Sequence, residues 1–371
     1  MMESPEGKEP VYFVDAKNIN VSYLQDDGNT RTILNDVSVR VRRGEFVTVV
    51  GPSGCGKSTL LRLVLGAQFP TAGSVLVDGK PVRRVTRDCG IVYQNYSLFP
   101  HLTVLDNIAL GLVLEQTNLL HRAMASPFLF TEQIGSMIAA GQRRLNMARN
   151  GWRSPSDDAI KHEQSANSPV VYQRGKKTIF DFVPFVRVRR EARERAFEYL
   201  DDIGLEPADG DKFPYELSGG MRQRVAIAQA VIMEPKILLM DEPFGALDKA
   251  RREEMQDFIH EQWSKHNLTV FFVTHDLDEA VRLGTRLICV SQYWTDEQNK
   301  PGKGARIVVD RKVMGGSMKP SAFVGTDEFG KLINRIGSAG LSAQHVQPSS
   351  AFDLSHDDAI AVNSSTGARD K

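Results

Sequence analysis

The sequence predicts an α/β fold in which helices cover a mostly parallel sheet. Runs of apolar, β-branched residues recur along the chain, as in residues 46–50, 237–240 and 269–273. Such runs are typical of strands that are buried on both faces of a parallel sheet. Segments with apolar residues at helical spacing lie between these runs. Each run also leads directly into polar or glycine residues, and ligands bind at the carboxyl ends of strands in such sheets.

Length and composition limit the classes of protein that fit. The 371 residues correspond to one large or two modest domains, and the 46 basic and 46 acidic residues balance. The whole chain therefore has no electrostatic preference for nucleic acid. Three cysteines are too few for a disulfide framework and favour a reducing compartment. No signal peptide or membrane-spanning run is recognisable, so we expect a soluble, intracellular protein that meets a membrane only through other subunits.

The apolar strand predicted at residues 46–50 leads into a phosphate-binding loop. Residues 51–59 fit the pattern G-x-x-x-x-G-K-[ST], and apolar residues at helical spacing follow. A chance glycine-rich turn is the alternative, but strand, glycines and helix together favour binding of a nucleoside triphosphate. Lys57 is expected at the β- and γ-phosphates, and Ser58 at Mg²⁺. The predicted nucleotide contacts in this loop are Gly51, Ser53, Gly54, Cys55, Gly56, Lys57, Ser58 and Thr59. Cys55 predicts sensitivity to thiol reagents, unless it is an inert small side chain.

The other elements follow in order. Alternation predicts strands at 11–14 and 37–41, with a turn at 25–31, and further strands at 72–77, 89–93, 287–290 and 306–309. Helical spacing predicts helices at 104–112, 191–203 and 221–232. Residues 115–190 interrupt this pattern with Ser- and Asn-rich stretches and a net charge of +6. That segment is either a solvated insertion or a surface for a partner protein or lipid headgroups. Beyond residue 316 we expect a polar tail with a helix at 327–336 and disorder from about 342.

Polar side chains follow four of the predicted strands. These are the phosphate loop, Gln94, Asp241 with Glu242, and His275. Because carboxyl ends of parallel strands share one edge, we expect them to lie close together. Asp241 is the predicted Mg²⁺ ligand, and Glu242 is predicted to orient or deprotonate the attacking water. His275 is predicted at the γ-phosphate; its alternative is a satisfied histidine after a core strand.

Leu217-Ser218-Gly219-Gly220-Met221 forms a second anion-binding pattern, in which Ser218 caps a helix and the glycines allow close backbone approach. This motif resembles the signature of ABC-type ATPases. The resemblance covers residues 10–114 and 190–315. It implies that Gln94 is the Q-loop residue and a metal contact, that Asp248 belongs to the D-loop, that His275 is the switch histidine and that Tyr23 stacks on adenine. Catalytic roles then fall to Glu242, His275 and Gln94, and the metal contacts to Ser58, Gln94 and Asp241.

The same resemblance implies the architecture. We expect a P-loop NTPase (RecA-like) core with an antiparallel β subdomain and a helical subdomain carrying a long insertion. An ATPase domain would span residues 10–315, with its core at 10–94 and 235–315, its helical subdomain at 95–234 and the insertion at about 115–190. Residues 316–371 would form a C-terminal extension. ATP and Mg²⁺ are the implied cofactors.

The implied partners are a second copy of the chain and integral membrane permease subunits. The two copies would pair head to tail, with Ser218, Gly219 and Gly220 of one closing on ATP held by the other. A solute-binding protein is a further expected partner, nucleic acid is not, and the location would be peripheral at the cytoplasmic face of the cell membrane. Within the family, the sequence is most similar to nitrate, sulfonate and taurine importer ATPases. An exporter ATPase, or a non-transport ABC ATPase acting on nucleic acid or ribosomes, remains the alternative.

Overall fold

The computed structural model describes residues 12–26, 28–94, 97–124, 184–245, 247–313, 326–338 and 341–360. The chain divides into two compact units, one of Met1–Ile108 with Phe197–Lys371 and one of Ala109–Ala196. Residues 125–183 of the predicted insertion lie outside the described residues. The predicted boundaries of the ATPase core and helical subdomain remain predictions.

The strands of the described chain build two main sheets and one short pair. Their bounds are β1 Val14–Leu24, β2 Thr30–Val41, β3 Phe46–Val50, β4 Ala72–Val77, β5 Lys80–Pro81, β6 Cys89–Val92, β7 Ile237–Asp241, β8 Thr269–Val273, β9 Arg286–Ser291, β10 Trp294–Thr295, β11 Arg306–Lys312 and β12 Gln347–Pro348. The larger sheet has the order β11-β9-β3-β8-β7-β6. Strands β9, β3, β8, β7 and β6 are parallel, and β11 is antiparallel at one edge.

The near-continuous apolar strands are buried as their composition predicts. Every residue of β3 and β8 is buried, and β7 is buried up to Asp241, where polar residues begin. The second sheet has the order β2-β1-β4-β5 and is antiparallel throughout. The two sheets confirm the predicted α/β class with a parallel core and an antiparallel subdomain. The strand predicted at 11–14 is misplaced, since it overlaps β1 only at Val14, and β2 begins at Thr30, well before the predicted 37–41. Bulges in their pairing interrupt the strict alternation that the prediction relied on.

Seven helices lie within the described residues. They are α1 Lys57–Leu65, α2 Val104–Met124, α3 Pro184–Asp202, α4 Gly219–Val231, α5 Lys249–His266, α6 Leu277–Leu283 and α7 Asp327–Gly337. The sequence does not predict α5 or α6. The buried face of α5 includes Gln256 and Gln262 beside Met255, Phe258 and Ile259, and these polar residues obscure its apolar periodicity. No helix of the described chain is both long enough and apolar enough to cross a membrane.

Residues 341–360 differ from the predicted disorder, since they are built onto the edge of the larger sheet. Asp353 N–H donates to Val308 O at 3.0 Å, and Asp310 N–H donates to Asp353 O at 2.8 Å. Strand β12 pairs with β10, and the ring of Phe352 packs edge-on against Trp294 with centroids 6.3 Å apart. Main-chain pairing to β11 orders a segment whose Ser- and Asp-rich composition carries no such signal. The last described residue of this segment is Ile360.

One core cluster joins the antiparallel sheet to the parallel sheet and α1. It contains Val39 and Ile19 of the antiparallel sheet, Leu60 and Val64 of α1, and Val273 of β8. A second cluster lies beneath α6 and α7, where Ala280 and Ile336 pack with Val309. The first cluster fixes the carboxyl ends of the parallel strands relative to α1, and this is where the candidate site lies.

The unit of Ala109–Ala196 is described only at its two ends, within α2 and α3. Helix α3 carries exposed ion pairs one turn apart, from Arg187 to Glu191 at 2.8 Å and from Arg190 to Glu194 at 3.5 Å. Exposed pairs of this kind contribute a few tenths of a kcal/mol to a helix. On the opposite side of the helix, Val188 and Ala192 are buried.

Candidate active site

The phosphate loop connects β3 to α1 in a conformation that depends on glycine. A Cβ atom on Gly51 would lie 2.0 Å from the carbonyl oxygen of Val290, so no larger residue fits there. Gly56 caps α1 with φ +100°, in the left-handed region, and a Cβ there would lie 2.7 Å from Leu34 of β2. The loop is therefore held tightly between β9 and the antiparallel sheet.

The N-terminus of α1 is open to an anion. Gly56 provides no side-chain cap, and the first turn contains no acidic residue. The free N–H groups and the helix dipole together favour phosphate at this position. Lys57 is buried, and its ammonium group donates to the carbonyl oxygens of Gly51 at 2.8 Å and Pro52 at 3.0 Å. The loop thus carries one positive charge on its inner side.

Ser58 and Asp241 meet across the sheet edge. The Ser58 hydroxyl donates a hydrogen bond of 3.1 Å to Asp241 Oδ1, although the two residues are 183 positions apart in sequence. A hydroxyl and a carboxylate oxygen this close are the ligands that Mg²⁺ prefers beside nucleotide phosphates. The residues present therefore fit a Mg²⁺ ion.

Glu242 and His275 face each other next to this pair. Glu242 has φ +49°, a strained value for a non-glycine residue, and its N–H donates to Val273 O at 2.9 Å. This turn separates the directions of Asp241 and Glu242. The distance from His275 Nδ1 to Glu242 Oε2 is 3.5 Å, and the side chains are 66% and 27% exposed respectively. A carboxylate and an imidazole at this separation can both hydrogen-bond to one water molecule and so orient it.

Gln94 and Tyr23 lie at the margins of the site. Gln94 is exposed after β6, and its Nε2 lies 3.5 Å from where a Cβ on Gly245 would be, in the turn after Glu242. Tyr23 is near the end of β1 and 45% exposed, and its hydroxyl accepts a 2.6 Å hydrogen bond from Gln68.

The signature residues form a separate helix N-terminus. The Ser218 hydroxyl caps α4 by accepting from Met221 N–H at 3.3 Å, and no acidic residue lies in the first turn. A Cβ on Gly220 would meet nothing within 4 Å. In the described chain, no hydrogen bond joins Ser218, Gly219 or Gly220 to the phosphate loop. The anion-binding surface at the N-terminus of α4 is therefore separate from the phosphate loop.

Asp248 caps the N-terminus of α5, where its carboxylate accepts from Arg251 N–H at 3.1 Å. Ala246, two positions earlier in the same motif, lies outside the described residues. Asp248 is exposed, so it is placed to contact another molecule.

A buried polar network behind His275 was not predicted from the sequence. Thr274, Glu279 and Gln256 are all buried, and the Glu279 carboxylate accepts from both of the others. A buried carboxylate with two side-chain donors has no periodic signature. The sequence offers one clue to this network. Glu279 lies on the short helix α6, about one turn after His275.

Comparison with known proteins decides the family. Residues 34–245 match the family model for ABC transporters. The chain belongs to the ABC transporter family. It is 34% identical to an uncharacterized ABC transporter ATP-binding protein of Methanocaldococcus jannaschii, over 76% of each chain. It is 32% identical to a bicarbonate transport ATP-binding protein of Synechocystis sp., over 78% of this chain and 77% of that one. A sulfate/thiosulfate import ATP-binding protein of Pseudomonas aeruginosa is 31% identical, over 77% of this chain and 68% of that one.

Among solved structures, the chain resembles an ATP-binding cassette in a dimeric, post-hydrolysis state with ADP and phosphate bound. The TM-score is 0.52 at 26% identity, over 81% of this chain and 98% of that one. As a member of the ABC transporter family, this chain is an ATP-binding subunit and an ATPase. The fold of the ABC cassette places its phosphate loop, Asp241, Glu242 and His275 at one sheet edge.

Proposed function

We propose that this chain is the ATP-hydrolysing subunit of an importer for small inorganic or sulfonate-type anions. It binds Mg²⁺ with ATP and works as a head-to-tail pair with a second copy. Integral membrane permease subunits hold the pair at the cytoplasmic face of the cell membrane, and a solute-binding protein delivers the anion. Binding and hydrolysis of ATP then drive the permease, because ATP favours the closed pair over the open one.

The observation that carries this proposal is the presence of two separate anion-binding surfaces on one chain. The phosphate loop collects Lys57, Ser58 and Asp241 at the sheet edge. The N-terminus of α4, by contrast, presents Ser218 and Gly220, and within the described residues no hydrogen bond joins them to that loop. A single nucleotide needs both surfaces only where a second copy supplies the missing one.

Each residue at the sheet edge has a role that fits its surroundings. Lys57 balances charge on the β- and γ-phosphates, and α1 adds its N–H groups. Ser58, Asp241 and Gln94 would hold Mg²⁺, which supplies charge stabilisation for the transferred phosphoryl group when bound. Glu242 accepts a proton from the attacking water or orients it, a contribution of about 10²–10⁴ in rate. His275 keeps that water and the γ-phosphate in place from the opposite side.

Import as the direction and an anion as the solute are supported by the names of similar proteins. The similar proteins from Synechocystis and Pseudomonas are named for bicarbonate and sulfate/thiosulfate, which are both small oxyanions. Purification of the chain from a detergent extract should recover membrane subunits and an anion-binding protein. Recovery of ribosomes or nucleic acid in their place would support a non-transport ATPase instead.

Hydrolysis itself is tested by Glu242→Gln. This variant keeps the shape of the side chain but cannot take a proton, so we expect kcat to fall by about 10²-fold or more. ATP binding should persist, because the phosphate loop is unchanged. The matched control is Glu297→Gln, which changes an exposed glutamate in the loop before β11 and should leave kcat unchanged.

Lys57→Ala complements this variant. Removing the positive charge of the phosphate loop should abolish nucleotide binding itself, whereas Glu242→Gln should lose only hydrolysis. The two variants are compared by equilibrium binding of a fluorescent ATP analogue and by phosphate release. If Glu242→Gln hydrolyses ATP at the unmodified rate, another group is the base.

A further inference from the structure

The loop that carries His275 is connected to Glu279 on both sides. Thr274 bonds to its buried carboxyl group, and Asp276 bonds to its main-chain N–H. The Thr274 hydroxyl donates a hydrogen bond of 2.5 Å to Glu279 Oε2. The same hydroxyl oxygen accepts from Asp276 N–H at 3.1 Å. Asp276 in turn caps α6, because its Oδ1 accepts from Glu279 N–H at 3.2 Å. The residues before and after His275 are therefore both connected to Glu279.

The other oxygen of the same carboxylate reaches α5. Glu279 Oε1 accepts from Gln256 Nε2 at 3.2 Å, and the Gln256 side chain is buried on the inner face of α5. A second contact runs from Arg252 Nη1 to Asp276 Oδ2 at 3.1 Å. Two polar contacts thus join the His275 loop to α5, the helix that Asp248 caps.

Glu279 is an unusual choice for a buried position. Its residue is 5% exposed, and in the described chain no ion pair reaches its carboxylate. Burial raises the pKa of Glu279, and the hydrogen bonds from Thr274 and Gln256 oppose this shift. An apolar side chain would satisfy packing at lower cost. The carboxylate does something an apolar side chain cannot, because it accepts from two donors on different elements.

We propose that Glu279 is a positioning residue for ATP hydrolysis, which anchors the His275 loop to α5 and keeps the imidazole beside Glu242. This inference rests on the proposed role of His275. The His275 side chain is 66% exposed and 3.5 Å from Glu242, so packing does not hold it there. Its place depends on the backbone of residues 274–276, which Glu279 fixes. Helix α5 begins directly after its N-cap residue Asp248, so the same network joins the His275 loop to the helix that Asp248 caps.

The first test is the steady-state kinetics of Glu279→Ala in the full chain with MgATP. Loss of positioning should lower kcat by roughly tenfold to a hundredfold, while the Kd for ATP stays unchanged. Thr274→Val removes the hydroxyl but keeps the branched shape, and should reproduce the loss if Glu279→Ala folds poorly. Thr274→Ser restores the donor and should restore kcat. Gln262→Ala is the matched control, because it alters another buried glutamine of α5 with no bond to Glu279.

The decisive readout is a double variant with His275→Ala. If Glu279 acts through His275, then Glu279→Ala should cause no further loss of kcat in that background. Losses that multiply, or unchanged kcat in both Glu279→Ala and Thr274→Val, would overturn the proposal. Full activity of His275→Ala alone would instead remove the role of His275, and the positioning role with it.

Discussion

At the scale of single residues, the phosphate loop contains a cysteine that is chemically shielded. Cys55 is buried beneath the loop, with its sulfur 2.9 Å from where a Cβ on Gly51 would lie. Burial raises the pKa of Cys55, and the nearby charge of Lys57 opposes that shift only in part. Burial likewise raises the pKa of Cys89, to about 11. At neutral pH both groups are therefore thiols, and the thiolate is the reactive form.

We therefore expect the native protein to resist thiol reagents. An aromatic disulfide reagent at pH 7 should label Cys55 slowly and leave ATPase activity unchanged over the time in which a free cysteine reacts fully. In denaturant all three cysteines should react. Rapid loss of activity together with labelling of Cys55 would contradict this expectation and show that the loop opens.

At the scale of elements, the segment of residues 341–360 is held by Asp358. Its carboxylate is 2% exposed and accepts from Arg42 Nη2 at 2.7 Å and from Tyr12 Oη at 3.2 Å. Burial alone would raise the pKa of Asp358, but the hydrogen bond and charge of Arg42 outweigh burial and leave that pKa lowered. The ionised form is thus the one that anchors the segment beside β2.

Asp358→Asn should lower Tm at neutral pH, because the amide loses the charge-assisted bond to Arg42. The folded-state pKa lies below the unfolded value of about 3.9, so the carboxylate contributes stability above that pH. This contribution is lost as pH falls through the folded pKa, and the Tm difference between the two proteins should shrink in acid. Asp357→Asn, at the exposed neighbouring residue, is the control. A Tm difference that is equal for both variants would show that the anchor is not Asp358.

The elements also show which physical signals a sequence carries. The parallel strands were predictable because burial on both faces demands continuous apolar residues, as in β3 and β8. Helix α5 was not, since Gln256 and Gln262 occupy its buried face, and Gln256 is explained only by Glu279, a partner distant in sequence. The contacts of residues 341–360 with the sheet edge could not be predicted either, because they are main-chain hydrogen bonds. Main-chain pairing does not depend on side-chain type.

At the scale of the whole molecule, the same distinction applies to the candidate site. Residues that follow strands, such as Asp241 and His275, could be placed at one edge from strand polarity alone. The 3.1 Å contact of Ser58 with Asp241 and the strained backbone of Glu242 required the folded structure. The Glu279 network required it too, because a buried carboxylate is recognisable only from its donors.

The whole-molecule claim is that the phosphate loop is half of a site that a second copy completes. Gly220 is suited to probing this, because a Cβ atom added there would meet nothing within 4 Å in one copy. Gly220→Asp should therefore leave the fold intact while placing a negative charge where the second nucleotide phosphate would lie. Gly330→Asp, at an equally open glycine of α7, is the matched control.

The most direct measurement is the molar mass of Glu242→Gln in solution, by light scattering after size exclusion, with ATP or with ADP. We expect a dimer with ATP and a monomer with ADP. We also expect that Gly220→Asp abolishes the dimer, whereas Gly330→Asp does not. A Glu242→Gln protein that binds ATP but stays a monomer, or a dimer that survives Gly220→Asp, would contradict the two-copy site.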